Sequence, residues 1–362
     1  MLLDRYRKRF SFARCQLTLL LACIAGAIWG QTPPPLRYPW DARPATCFNE
    51  SRVAAPECAL DSWPTFDETV RRVAFLYQTE QFSLLEQALA ELVSSNKRFV
   101  SGRPLSSAAY WAFRRVMPAP GVPTAEKDRV VRWRAAFPQS YFVIFAEARF
   151  LYGNAWNTRG SGFAGSVSKE SWELFSMRLR EAEQVLLKAP QQLKDTPLWH
   201  NQLLAISLDT DAAQSDRQET FERSVKAWPD YYDFYDLMLT RLVPRWGGSW
   251  DKVDSFIDYW AKRQVQREGT SLYARLYINL ANQRITPDQT RLDWNKMKRS
   301  FVDLITRYPD PAFKNLYASY ACFARDKTAF EDAMRGLPSN LLMPNYWLSG
   351  HSHEACLRWA GI

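Results

Sequence analysis

Residues 168–191 read SKESWELFSMRLREAEQVLLKAPQ. Trp172, Phe175, Leu179, Ala182, Leu186 and Ala189 follow one another at steps of three and four, which puts all six on one side of an α-helix. Ser168 has the side chain of an N-cap, and Glu170 suits the positive end of the helix in its first turn. Pro190 cannot continue the helix, because its ring lacks the N–H and clashes with the preceding turn. The unit is therefore a one-faced helix closed by a proline.

That unit recurs in both directions. Phe137-Pro138-Gln139, Ala189-Pro190-Gln191, Trp228-Pro229-Asp230 and Tyr308-Pro309-Asp310 each end one helical stripe before another begins. The prolines are spaced 52, 39 and 80 residues apart. The last interval is close to twice 40, with Gly269-Thr270 as a turn near its midpoint. A period of roughly 40 residues holding two helices is the mark of an α-helical repeat array. At the N-terminal side, Thr65 and Glu68 form a capping box before the stripe Phe66, Val70, Val73 and Tyr77. Gln81 marks a turn, and Leu85, Ala88, Leu89 and Leu92 make the partner helix. Ser140–Trp156 is apolar nearly all round, as a buried helix should be.

The 52-residue interval exceeds the period by about 12 residues. The surplus falls at Tyr152–Phe175, read as a loop, which holds Gly153, Gly160, Gly162 and Gly165 of only 14 glycines in the chain. A second such stretch is Leu242–Trp250, with Pro244-Arg245-Trp246-Gly247-Gly248. Insertions into a repeat gather on one face of the array, often the binding face. Trp156, Arg159, Arg245 and Trp246 are the candidate binding residues. Glycine lets a partner approach the backbone, and arginine offers a planar fork for carboxylate or phosphate that also stacks on tryptophan. The competing reading pairs the arginines with Glu147 or Asp251 and uses the tryptophans as packing.

Asn154-Ala-Trp156, Arg159-Gly160-Ser-Gly162, Trp172, the Trp228-Pro229-Asp230-Tyr-Tyr232 turn and Pro244-Arg245-Trp246-Gly247-Gly248 together resemble an uncharacterised bacterial domain-of-unknown-function family related to tetratricopeptide-like helical repeats. The resemblance covers residues 105–262. It implies an α-α superhelix and a bacterial source, and supplies no activity or catalytic residues.

The N-terminus reads as a targeting segment. Arg5, Arg7, Lys8, Arg9 and Arg14 precede the apolar run Leu17–Trp29, and Ala25-Gly26-Ala27 fits cleavage after Ala27. The apolar run falls short of the roughly 20 residues that span a bilayer; an uncleaved anchor or lipidation of Cys23 are the alternatives. The formal charge is +9. Residues 1–27 carry five positive charges and one negative, which leaves about +5 on the rest, without a dense basic run. Nucleic acid is not an expected partner. Cys47, Cys58, Cys322 and Cys356 lie as a near pair at each end, and a Cys47–Cys58 and a Cys322–Cys356 bridge would suit an exported protein.

Catalytic signals are weak. Gly160-Ser-Gly162-Phe-Ala-Gly165 has the spacing of a dinucleotide loop, but no strand precedes it. His200 stands alone and reads as structural or solvated. His351, His353, Glu354 and Cys356 could ligate a metal, but the expected Cys322 bridge competes for Cys356. Asp209 and Asp211 begin a calcium-like loop that Ala213 and Gln214 break. Asp230, Asp233 and Asp236 recur every three residues among aromatics; they could serve sugar chemistry, but an outer, solvated helix face is the expectation.

The expected fold is all-α, a tetratricopeptide-like α-α superhelix of stacked helix pairs. Its expected parts are a targeting segment (1–30), a proline-rich linker (31–64), the repeat domain (65–336) and a C-terminal tail (337–362). The expected function is a non-catalytic scaffold for a protein or peptide partner in the bacterial cell envelope, without cofactor or metal, touching membrane only through its N-terminus. An envelope enzyme or carbohydrate-binding protein using the Trp/Arg loops is the alternative.

Overall fold

A computed structural model describes residues 65–118, 126–210 and 214–362. The expected targeting segment (1–30) and linker (31–64), with Cys47 and Cys58, lie outside these residues. The described chain is all-α, with seventeen α-helices and no strand. No helix in it is long and apolar enough to cross a membrane.

The helices are α1 Phe66–Gln78, α2 Phe82–Ser94, α3 Leu105–Val116, α4 Glu126–Ala136, α5 Tyr141–Arg159, α6 Lys169–Leu187, α7 Gln191–Lys194, α8 Pro197–Asp209 and α9 Gln214–Ala227. They continue as α10 Asp233–Leu242, α11 Trp250–Arg263, α12 Val265–Glu268, α13 Ser271–Asn282, α14 Trp294–Arg307, α15 Pro311–Phe323, α16 Lys327–Arg335 and α17 His353–Ala360. Side chains set the boundaries. Thr65 Oγ1 accepts from Glu68 N at 3.2 Å while Glu68 Oε2 accepts from Thr65 N at 2.7 Å, which completes the capping box. Ser168 Oγ accepts from Ser171 N at 3.2 Å and starts α6. The four proline motifs all fall at helix breaks.

Burial divides the helices into two layers. Helices α3, α5, α8, α10, α13 and α15 are covered on nearly all sides; α8 is buried from Pro197 through Leu208. Helices α6, α11, α14 and α16 bury one stripe each, as Met297, Ser300, Phe301 and Leu304 do in α14. One-faced helices flanking all-round-buried ones are what amphipathicity predicts for a two-layer helical array. Each outer helix packs on the inner helix beside it, and α8 also touches α3, α5 and α10.

Three departures from expectation shape the site. First, α5 runs through Gly153 to Arg159, so the loop is only residues 160–168 with a 3-10 turn at Ala164–Ser166. Gly153 is there for closeness: a Cβ at this position would stand 2.2 Å from the Pro118 carbonyl oxygen. Helices α5 and α6, at 19 residues each, absorb much of the surplus length. Second, the array folds back on itself. Segment 95–104 ties to distant helices, with Arg98 paired to Asp230, Arg103 to Asp233 at 2.9 Å, and Arg275 donating to the Ser101 carbonyl at 2.8 Å. Third, the segment read as a C-terminal tail carries α17 and enters the core through Leu348, Cys356 and Ala360. The Cys322–Cys356 disulfide fixes it, which removes Cys356 from any metal site. No group of three or more His, Cys, Asp or Glu able to hold a metal exists among the described residues.

Candidate functional site

The two Trp/Arg stretches converge. Trp156, near the end of α5, and Trp246, in the 3-10 turn Pro244–Trp246, meet edge to face with ring centroids 5.9 Å apart. Gly247-Gly248 makes this possible. Gly247 turns the chain at φ 84°, and a Cβ at Gly248 would lie 1.7 Å from the Leu242 carbonyl oxygen. The Arg159 guanidinium lies 5.4 Å from the Trp156 ring, 5.0 Å from Trp172 and 5.9 Å from Trp246. Arg245 lies 5.7 Å from Trp246 and 5.9 Å from Phe163.

Neither arginine takes the carboxylate that sequence proximity suggested. Glu147 pairs with Arg134, and Asp251 with Arg291 at 2.6 Å. Arg159 is 6% exposed and donates from Nη1 to the carbonyls of Gly160 (3.1 Å) and Gly162 (2.6 Å). Burial, then the charge of Arg245, lowers its pKa from the ordinary value. Arg245 is exposed. The four candidates are thus one cluster with two duties. Arg159 holds the loop, and Arg245 faces solvent.

Behind Trp156 and Trp246 lies a partly enclosed cavity of about 740 Å³. This is within the ~300–1,000 Å³ range of small-molecule sites. Its wall includes residues that pattern reading did not select: Arg103, Arg114, Arg149, Asn201, Arg241 and Asn279. Arg241 stacks 4.7 Å from Trp246 and pairs with Asp209, which also accepts from Tyr152 Oη (2.7 Å) and Trp156 Nε1 (2.9 Å). Arg149 is 4% exposed, between the rings of Tyr110 and Tyr152 at 5.2 and 5.1 Å. Its Nη1 donates to Gln202 Oε1 at 2.8 Å, while its Nε has no partner. Among the described residues it has no carboxylate partner. Asn201 is fully buried, and neither its amide nitrogen nor its oxygen is hydrogen-bonded.

Asp230, Asp233 and Asp236 are not on a solvated face. Asp230 and Asp233 are buried, and Asp233 and Asp236 line the cavity. Asp233 accepts from Arg103 (2.9 Å), Trp111 Nε1 (2.9 Å) and Ser107. Asp236 has only a long contact to Arg103 at 3.5 Å. Burial pushes its carboxyl up to about 7, against the pull of Arg103 and helped by the charge of Asp233. Asp230 lies in the turn before α10 and Asp233 and Asp236 in its first turn, and the groups that cover them in place of solvent come from more than 100 residues earlier in the chain. Arg149 did carry a signal: it is the one arginine of Ser140–Trp156, a stretch apolar nearly all round, and such residues are seldom buried without a partner.

His200 is buried and structural, within 3.1 Å of Ser224 Oγ through Nδ1. His351 and His353 pack against Phe323 and Trp347. The resemblance to an uncharacterised repeat family stands on the motifs quoted from the sequence alone. No protein-family model, curated protein or solved structure matches this chain.

Proposed function

We propose that this chain is a non-catalytic binding protein of the bacterial cell envelope, and that its partner delivers an acidic group to the cavity behind Trp156 and Trp246. One observation carries the reading. Arg149 is a buried guanidinium without a carboxylate, beside a buried amide with no partner. A buried charge left unpaired is costly, and a site that keeps one is prepared for an anion. Water can satisfy Asn201, but it cannot neutralise Arg149. The repeat architecture suggested a protein or peptide laid along an open face. With segment 95–104 tied across to α10 and α13, the partner's acidic end is the part that enters. Arg245, exposed beside Trp246 of the cavity wall, steers anions toward the opening.

The tryptophans supply the assay. Titration with citrate or N-acetylglutamate should change tryptophan fluorescence saturably, and the neutral amide and an amine of similar size should not. An equal response to the amine, or no saturable response to either acid, overturns the proposal. Arg245→Ala should weaken binding with Tm unchanged. Arg159→Ala should lower Tm, since Arg159 holds two loop carbonyls.

A second reading has one observation in its favour. Asp236, with a carboxyl near neutrality inside a cavity, has the properties of a general acid or base. Turnover of a bound ligand by the wild type but not by Asp236→Asn would favour an enzyme.

A further inference from the structure

The cavity wall is more specific than a positive charge requires. Besides Arg149 it carries Arg114, exposed, with its guanidinium 4.4 Å from the Trp111 ring and no hydrogen-bonded carboxylate among the described residues, although its charge acts on Asp236. The same cavity is also lined by a polar group from α13. Gln283 Nε2 donates to Thr240 Oγ1 at 3.2 Å and to Asn279 Oδ1 at 2.8 Å, with Asn282 beside them. Asn201 adds an amide with both atoms unsatisfied. An amide both donates and accepts, as a hydroxyl does, so a wall of amides matches a ligand rich in hydroxyls better than a plain carboxylic acid. Trp111, Trp156 and Trp246 also line the cavity, each with guanidinium groups over its ring, and add apolar surface to its wall. Asp233 and Asp236 lie in the same wall. They disfavour a multiply charged phosphate, and they can accept from hydroxyl hydrogens.

We propose that the cavity binds a small acidic saccharide of one or two rings, with its carboxylate on Arg149 and Arg114 and its hydroxyls on Asn201 and the Asn279–Asn282 face. This rests on the acidic-ligand reading above and names the chemistry that accompanies the acid. A ring carboxylate gives the two guanidinium groups one shared counter-ion, and a hydroxyl satisfies Asn201, which a bare acid leaves unpaired. A site built to hydrogen-bond hydroxyls discriminates strongly against ligands lacking them, because its own groups are then left buried and unpaired.

Calorimetric titration of the full chain tests this with three probes: digalacturonic acid, the neutral disaccharide galactobiose, and citrate. The expected result is one-to-one binding of digalacturonic acid, at least tenfold tighter than either other probe. Two variants place the ligand. Asn201→Leu removes a buried group that has no protein partner, so Tm should hold or rise while affinity falls about tenfold. Arg114→Gln alters an exposed side chain and should reduce affinity for digalacturonic acid at unchanged Tm, with little effect on any residual galactobiose binding. If citrate binds as tightly as digalacturonic acid, the saccharide assignment falls and the acidic-ligand reading stands. If no acid binds, both fall. Unchanged affinity in both variants places the ligand elsewhere and overturns the proposal.

Discussion

Asp236 is a carboxylic acid whose chemistry departs from its type, and the departure has a sign. Burial raises its carboxyl to about 7 in the folded chain, from an ordinary value of 3.8. The folded state therefore holds a proton that the unfolded chain has lost between those values. Asp236 leaves folding unpenalised below pH ~4, costs stability progressively as pH rises toward ~7, and costs no more beyond that. His200 acts oppositely. Burial lowers it to about 4, so its contribution is present above its unfolded value and is lost as pH falls from ~6.5. The two are separated by comparing Asp236→Asn with the wild type, which leaves His200 in both. Between pH 5 and 7 the variant should gain on the wild type with rising pH, by up to about 1.4 kcal/mol per pH unit, the limit for one proton. Urea denaturation at pH 5, 6, 7 and 8 measures the difference. Parallel curves would mean that Asp236 titrates normally.

At the scale of the element, α5 is the test of what a glycine is for. Gly153→Ala should stabilise an isolated helix by about 1 kcal/mol. Here the new methyl would meet the Pro118 carbonyl, a backbone atom that cannot rotate away. Overpacking of this kind costs roughly 1–3 kcal/mol, so a net loss is expected in chemical denaturation. Gly165→Ala, where a Cβ meets nothing within 4 Å, should be close to neutral. A gain at Gly153 would show that Pro118 yields. The same glycine shows where the sequence was legible and where it was not. Thr65, Ser168 and the proline breaks act on neighbours in the chain, so their effects could be read directly. So could one-faced stripes such as Trp172–Ala189. A glycine kept for close approach looks the same in sequence as one kept for a turn, and Tyr152–Arg159 therefore reads as loop. Periodicity put the aspartates of α10 on one face but could not tell that Arg98 and Arg103 cover it. Trp156 and Trp246 were singled out, and the structure brings them together. Arg149 and Asn201 were passed over, because a cavity is assembled from α3, α5, α8, α10 and α13 and no single window contains it.

At the scale of the molecule, segment 95–104 decides how the array behaves. In an open array each repeat contacts only its neighbours, and unfolding can proceed from either end. Here Arg103 joins Asp233 and Asp236 across 130 and 133 residues of sequence, and Arg275 reaches back to Ser101. The C-terminal end is closed separately by Cys322–Cys356, a loop of 34 residues, whose loss costs about 4 kcal/mol on chain-entropy grounds. The two closures predict different signatures. Reducing the disulfide should lower amide protection mainly in α15–α17. Arg103→Met leaves Asp233 buried without its charge partner, at a cost of roughly 3–5 kcal/mol. Protection should then fall in α3, in segment 95–104 and in α10 together, although α10 is far away in sequence, while α14–α17 hold. Adding Asp233→Asn should recover part of the loss, because the buried Asp233 carboxylate is then no longer left without its partner. Hydrogen exchange on the three proteins decides the matter. If Arg103→Met loosens only α3 and its sequence neighbours, the ion pair does not couple the two parts of the array, and the cavity between them owes its shape to packing alone.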